Sequence, residues 1–499
     1  SLSRQEKRYF RMHASFQSEY IRLFDTISSM KSYDEEALKK RMRGQLSPQR
    51  LPAVKNYLYK SILESLTRFH EGKSADSLLC EWLKQVELLY IKSLFPQCMK
   101  LIGRAKKLAL RHEKFTRLLD LLEWEKMVHI AMRYSELDRK KLKRIHAGEQ
   151  DLLKRIGSER ISVFHGLELS LIVQSKGFTS NKDTLRRMSG IMKRTVMRDD
   201  YRHSSFRSRL FALSSQTTYH LITGNLEKSL HYAGRRIALM ERNPGRLRDE
   251  VMGYIQSVNN YIITCEHMGG RHDDIERAIV RLQRLKEEGY VVQENAALRL
   301  FLVLNARKCG FYIATARFEE AKGLEREIES GLDRYRSSVS DHDRIVFCYF
   351  MAYLFFGNGD HGSATRWLNR IIQHPFGRTR EDLQALARIL ALLINYDKGN
   401  EDYLIYLLPA TAKFLRQKKQ LFAFEKVIIR ALRHLVSRRP EGKERTESFV
   451  SMKEQLGRLA EDKHTRKMLS HFDFDSWLNS KINGQPFAKI AREKAGRKV

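Results

Sequence analysis

Apolar residues recur every three to four positions along most of the chain, and short polar or glycine-bearing joints interrupt them. In Tyr219–Leu230, Tyr-His-Leu-Ile-Thr-Gly-Asn-Leu-Glu-Lys-Ser-Leu, one apolar run stops at Gly224 and Asn225 and the next starts at Leu226. Glycine accepts the positive φ of a helix C-terminus, and asparagine caps the helix that follows. The stretch predicts a tight turn between two antiparallel helices. Further joints fall near Phe95, Ser135, Gly177, Gly269-Gly270, Ala316-Arg317, Gly359-Asp360 and Lys398-Gly399. Successive joints lie roughly 40 to 47 residues apart, room for two helices and two short turns, and a sustained period of this size predicts a helical solenoid. Runs of alternating Val, Ile and Thr are nearly absent, which argues against a sheet.

Outside the repeats the pattern changes. Residues 1–72 read as an N-terminal helical cap that shields the end of the stack; a helix-turn-helix reader is the alternative. Ser32-Tyr-Asp-Glu35 has the form of a capping box, and Leu51-Pro52 opens a helix with Val54, Tyr57, Leu58, Ile62 and Leu66 on one face. Residues 73–437 hold the hairpins. In the C-terminal segment, 438–499, Glu441–Glu447 reads as a charged linker and Phe449–Leu459 as an amphipathic helix. Phe472–Leu478 reads as an aromatic cluster docked on the last repeat, and Lys489–Val499 as a basic, disordered tail.

Several joints resemble the middle of the tetratricopeptide repeat. They are Gly224-Asn-Leu-Glu-Lys-Ser229, Arg317-Phe-Glu-Glu-Ala321, Gly359-Asp-His-Gly-Ser-Ala364 with Leu368 and Ile371, and Trp82 with Phe95, Cys98, Ile102 and Ala105. The resemblance covers residues 77 to 437. It departs from the family in its period, which exceeds the usual length of about 34 residues, and in its prolines, which follow a second helix only at Pro244 and Pro375. The resemblance implies an all-α fold, a right-handed α–α solenoid of tetratricopeptide-like hairpins. It implies that Cys98, Ser229, Ala278, Ala321 and Ala364 sit where helix backbones approach closely, and that first helices line a concave groove for a protein or peptide. Gln216 and His220 are hydrophilic positions on one such helix.

Charge adds a second possibility. The chain of 499 residues carries 92 Lys and Arg against 59 Asp and Glu, a formal net charge of +33. Such a field attracts RNA, DNA, anionic lipid or acidic proteins. The cations cluster at Arg139-Lys140-Lys141 with Lys143-Arg144, and at Arg186-Arg187, Lys193-Arg194, Arg235-Arg236 and Lys418-Lys419. On one face they would track a phosphate backbone, with Tyr201, Phe206, Tyr219 and Tyr232 stacking on bases; the plainer reading is outward charges and core aromatics.

Catalytic signatures are sparse. Gly357-Asn-Gly-Asp-His-Gly362 matches a dinucleotide-binding fingerprint, but that chemistry needs a βαβ unit, and the stretch falls on the hairpin period. Asp341-His342-Asp343 precedes an apolar helix, where acids cap and complement the dipole. The chain has no His-Glu-x-x-His, no paired cysteine spacing and no Gly-x-Ser-x-Gly. Five scattered cysteines suit reduced thiols, and the opening residues lack an apolar h-region. The runs Ile345–Phe356 and Ala385–Ile394 are shorter than the roughly 20 residues that span a bilayer. The expectation is a cytoplasmic, non-enzymatic scaffold for a protein or peptide, with no cofactor or metal. A basic RNA- or ribosome-associated protein is the alternative, and an enzyme with dispersed residues the third.

Overall fold

The computed structural model describes all residues except 1, 14–17, 31–32, 45, 48, 73, 136, 177–181, 195–196, 198–203, 375, 419–421 and 497–499. Phe16, Ser32, Gly177, Tyr201, Pro375 and Lys419 therefore lie outside the described residues. The described residues are all-α and form no strand. They divide into two units, Ser1–Tyr219 and His220–Val499.

In the first unit, α1 (Arg4–His13), α2 (Ser18–Ser29), α3 (Glu35–Arg41) and α4 (Leu51–Phe69) close around Phe10, Leu23, Phe24, Leu38 and Val54. The cap of α3 is Asp34 instead of the expected Ser32. The Asp34 carboxylate accepts the backbone N–H groups of Glu36 and Ala37, satisfying two orphan donors where the helix dipole favours negative charge. Glu35, the other expected member of the box, takes Lys55 Nζ at 2.9 Å and the Tyr33 hydroxyl at 2.8 Å.

Next come α5 (Ala75–Ile91), α6 (Phe95–Arg111) and α7 (Phe115–Ala131), joined by three-residue turns, then α8 (Arg139–Lys176), α9 (Lys182–Met192) and α10 (Phe206–Ile222). The turn between α6 and α7, at His112–Lys114, carries no glycine or proline and is a joint that the sequence pattern passed over. Val86, Cys98, Ile102 and Val128 fill one core between α5, α6 and α7. Leu79, Ala105, Leu118, Leu121 and Leu152 fill another, which adds α8.

The second unit runs through α11 (Leu226–Glu241), α12 (Pro244–Asp249), α13 (Val251–Met268), α14 (His272–Glu287) and α15 (Glu294–Ala314). After a 3₁₀ turn at Phe318–Glu320 it continues as α16 (Ala321–Arg334), α17 (Asp341–Gly357), α18 (His361–Ile372), α19 (Glu381–Asp397), α20 (Glu401–Gln417) and α21 (Ala423–Arg438). Helices α13, α15, α17 and α19 each pack on the next of that series as well as on their hairpin partners. Ser229, Ala278, Ala321 and Ala364 are fully buried, as positions between close backbones must be. A Cβ on Gly357 would stand 2.3 Å from the Phe318 ring, so glycine is required for that approach.

One joint recurs in both units. A residue in the left-handed region is followed by one whose N–H reaches the carbonyl five residues back, the Schellman closure of a helix. The bonds are Leu94 to Leu89, Lys114 to Ala109, Asn225 to His220, Arg317 to Tyr312, Asp360 to Phe355 and Asn400 to Asn395, all 2.8 to 3.0 Å. Ion pairs repeat too, at a separation of 41 residues: Arg307 with Glu266, Arg317 with Glu276, Arg366 with Glu325 and Arg370 with Glu329.

The C-terminal segment departs from expectation. Residues expected as a linker form most of the first half of α22 (Gly442–Leu459), which packs on α21 with Phe449, Met452 and Leu456 inward, so its charges mark an outer face. Beyond α23 (Lys463–Leu469) and α24 (Phe474–Asn483), residues 489–496 of the expected disordered tail lie in α25 (Phe487–Gly496). Arg492 there pairs with Glu319 at 2.6 Å, and Lys494 with Asp473 at 2.6 Å. The aromatic cluster reaches one hairpin further back than the last. The Tyr349 hydroxyl donates to His471 O, Asp473 N donates to the Tyr353 hydroxyl, and Trp477 Nε1 donates to Asp397. Phe472 and Phe487 pack on Phe356. Helices α17 and α19 are consequently covered where an open groove was expected.

Candidate functional site

Helix α8 departs most from what burial demands. It is 38 residues long and begins on Asp138, whose carboxylate accepts Lys141 N at 2.6 Å. Its first turn holds no acid, while Arg139, Lys140, Lys141, Lys143 and Arg144 crowd its first two turns. Cations at a helix N-terminus oppose the macrodipole. Arg139, Lys140, Lys143 and Arg144 are exposed, and none makes an ion pair among the described residues. The carboxylates of the same helix are engaged: Glu149 with Lys126, Asp151 with Arg155, Glu159 with Ser205, and Glu168 with Arg187.

Further along, the buried face of α8 is mixed: Leu152 and Leu169 are inside, at 4% and 1% exposed. Ser162 and His165 are buried, 0% and 3% exposed, and Ser158 is buried beside them. The opposite face carries Leu142, Leu153, Ile161, Phe164, Leu167 and Leu171, with Phe164 62% and Leu171 64% exposed. Successive residues on a helix are about 100° apart, so Leu142, Leu153, Phe164, Leu167 and Leu171 fall within roughly 60° of arc. The sequence pattern missed this row because its spacing is that of a core face. The available signal was a second apolar stripe on a helix whose other stripe is partly serine and histidine.

The remaining candidates scatter. Arg187 pairs with Glu168 at 2.6 Å, and that bond holds the Glu168 carboxyl below its ordinary range against the opposing effect of burial. Arg186 pairs with Asp183 at 3.4 Å. Arg235 is exposed. Arg236 is not a surface contact: its guanidinium is buried, donates to Ser257 Oγ at 2.6 Å, and is pushed down to about 10 by burial. Gln216 and His220 are half-buried one turn apart on α10. His220 stacks on Tyr232 at 5.5 Å, and burial, aided by Lys228, lowers its pKa. Phe206 is buried, so it is no base-stacking platform. The glycines at 357–362 form the α17–α18 joint, with Gly359 at φ 76° and Asp360 capping Ser363 N.

The second unit holds a cavity of about 620 Å³ between α15, α17, α22 and the segment from α23 to α25. Ile313, Phe350, Leu456 and Leu469 give it apolar walls. Its rim cations are engaged within the protein: Lys494 with Asp473 and Asp475, Lys453 with Asn479 and Asp475, and Arg466 with the carbonyls of Ala460 and Glu461. The cavity's rim cations are thus turned toward the protein's own acceptors. No helix is long and apolar enough to cross a membrane, and no cluster of three or more potential metal ligands occurs, both among the described residues.

No family model, curated protein or solved structure matches this chain. The class is set by the fold alone: an all-α protein of helices packed against their neighbours, compatible with a helical-repeat protein.

Proposed function

We propose that the chain is a non-enzymatic scaffold, a right-handed solenoid of tetratricopeptide-like hairpins, that binds a protein partner. The recurring joint and the 41-residue ion-pair spacing support the repeat reading. The apolar row of α8 carries the binding reading. A helix that exposes a row of leucine and phenylalanine presents a contiguous apolar strip of the kind that marks a protein-interaction surface. Binding then belongs to α8 instead of a groove over α17 and α19, which the C-terminal helices occupy.

The test places a photo-crosslinking residue at Phe164 of the full chain in native lysate, with and without nuclease. A protein adduct that survives nuclease supports the reading. Adducts confined to nucleic acid, or none at all, overturn it. The exposed cations Arg139, Lys140, Lys143 and Arg144 at the start of α8 favour a second reading, an RNA-associated protein, whose binding would fall steeply with salt and vanish with nuclease.

A further inference from the structure

Resting on that reading, we infer that the partner segment docked along α8 is an acidic amphipathic helix. The apolar row from Leu142 to Leu171 is about 44 Å long at 1.5 Å per residue. At helix-pairing spacing it presents Leu153, Phe164, Leu167 and Leu171, with Gly157 and the exposed Gln150 and Arg160 at the positions between. A helix presenting apolar anchors at i, i+3, i+4 and i+7 matches such a row along its length.

Charge selects the partner. On the helical projection Arg139, Lys143 and Lys154 lie on one side of the row, together with Glu168, which is neutralised by Arg187; the other edge is Ile145, Ile156 and Val163, half-buried. A flat anionic lipid surface would call for cations on both edges. A helix lying alongside needs carboxylates on one edge only, where they meet those cations. A second copy of α8 brings the same cations, and its carboxylates Glu149, Asp151, Glu159 and Glu168 are already engaged. RNA answers the cations and leaves the leucines wet. An acidic amphipathic helix answers both, and its negative charge relieves the cation-laden N-terminus of α8.

The test uses the full chain and a labelled helical peptide of about 32 residues, long enough to span the row, with leucines at heptad spacing and glutamates on one edge. Comparison probes are the same peptide with lysine for glutamate, one with scrambled leucines, phosphatidylglycerol vesicles and a single-stranded RNA. The acidic peptide is expected to bind at least about tenfold more tightly than every other probe, and to weaken about tenfold between 0.05 and 0.5 M salt. Its binding is expected to be lost in a Leu153→Ser/Phe164→Ser/Leu171→Ser variant and weakened in an Arg139→Glu/Lys143→Glu/Lys154→Glu variant, both checked for native helix content by circular dichroism. Absent binding, binding indifferent to these variants, or a preference for vesicles or RNA overturns the inference. A nuclease-resistant adduct at Phe164 together with no acidic-peptide binding defeats this inference and leaves the protein-binding reading standing; loss of both defeats both.

Discussion

In the first unit the left-handed residue of the joints is Ser93, Glu113 or Arg133; in the second it is mostly glycine, Gly224, Gly289, Gly359 or Gly399, with Ala316, and Arg439 at the end of α21, the exceptions. A side chain in that region costs about 1–2 kcal/mol, which glycine avoids. Faces differ likewise. The second unit covers α17 and α19 with its own C-terminal helices, whereas the first leaves the apolar row of α8 open. The same device is therefore relaxed and sealed in one region, strained and exposed in the other. The first unit therefore keeps exposed apolar contact surface on α8 that the second does not leave on α17 and α19.

The largest test of that contrast is a pair of aromatic truncations. Trp477→Ala removes a fully buried ring hydrogen-bonded to Asp397 and should cost the second unit about 3–5 kcal/mol. Phe164→Ala should change the first unit by less than about 0.5 kcal/mol. Amide exchange resolved by unit measures both, and a loss above about 2 kcal/mol at Phe164 would show that the row is already covered.

Buried carboxylates give the next test. Glu125 in the first unit takes Lys106 at 2.6 Å. Glu425 in the second is buried, and neither of its oxygens has a hydrogen-bond partner of good geometry among the described residues. Burial pushes it up to about 8, with the nearby Glu425 and Phe422 N–H groups and Lys426 pulling the other way. Between its ordinary 4.5 and about 8 the folded state holds the proton that the unfolded state releases. Stability from this group is thus full below the ordinary value and falls as pH rises through that window. Glu425→Gln should flatten the decline and stabilise the chain near pH 8 by on the order of 2–4 kcal/mol. Equal pH slopes in urea titrations of the two proteins would refute it.

Joint swaps come next. Gly359→Ala should cost about 1–2 kcal/mol, and Ser93→Gly should gain up to about 1 kcal/mol. A destabilised Ser93→Gly protein would mean that the first-unit joints carry no strain. Smallest is Arg139→Glu with Lys140→Glu, which should protect the first turns of α8 by about 0.3–1 kcal/mol through the dipole; slower amide exchange at residues 140–146 is the readout.

These regions also differ in how far the sequence disclosed them. Joints at Gly224, Gly359 and Gly399 were legible because glycine marks the left-handed position. The joint at Glu113 was not, because its backbone adopts the same geometry without the residue that advertises it. Residues 441–447 and 489–496 looked like linker and tail because exposed charges dominate their composition. Their helices are fixed by a few inward residues, Phe449, Phe487 and Ala491, whose partners lie far away in sequence. The cations of α8 could be read, but its apolar row had the period of a core and showed itself only once Ser162 and His165 were found on the inside. Arg236 illustrates the converse: a basic pair in sequence is one outward and one inward residue in space.

The tie from Arg492 back to Glu319 and the carbonyl of Ala316 has a consequence for synthesis. The C-terminal helices cannot cover α17 and α19 until residues 442–496 have left the ribosome. At roughly 5–20 residues per second that interval is on the order of ten seconds after Gly357 is made. During it, one of the most apolar stretches of the chain is nascent and unshielded. The second unit therefore completes itself late, which makes chaperone occupancy on stalled chains ending near residue 440 a sensitive gauge of how its assembly is ordered.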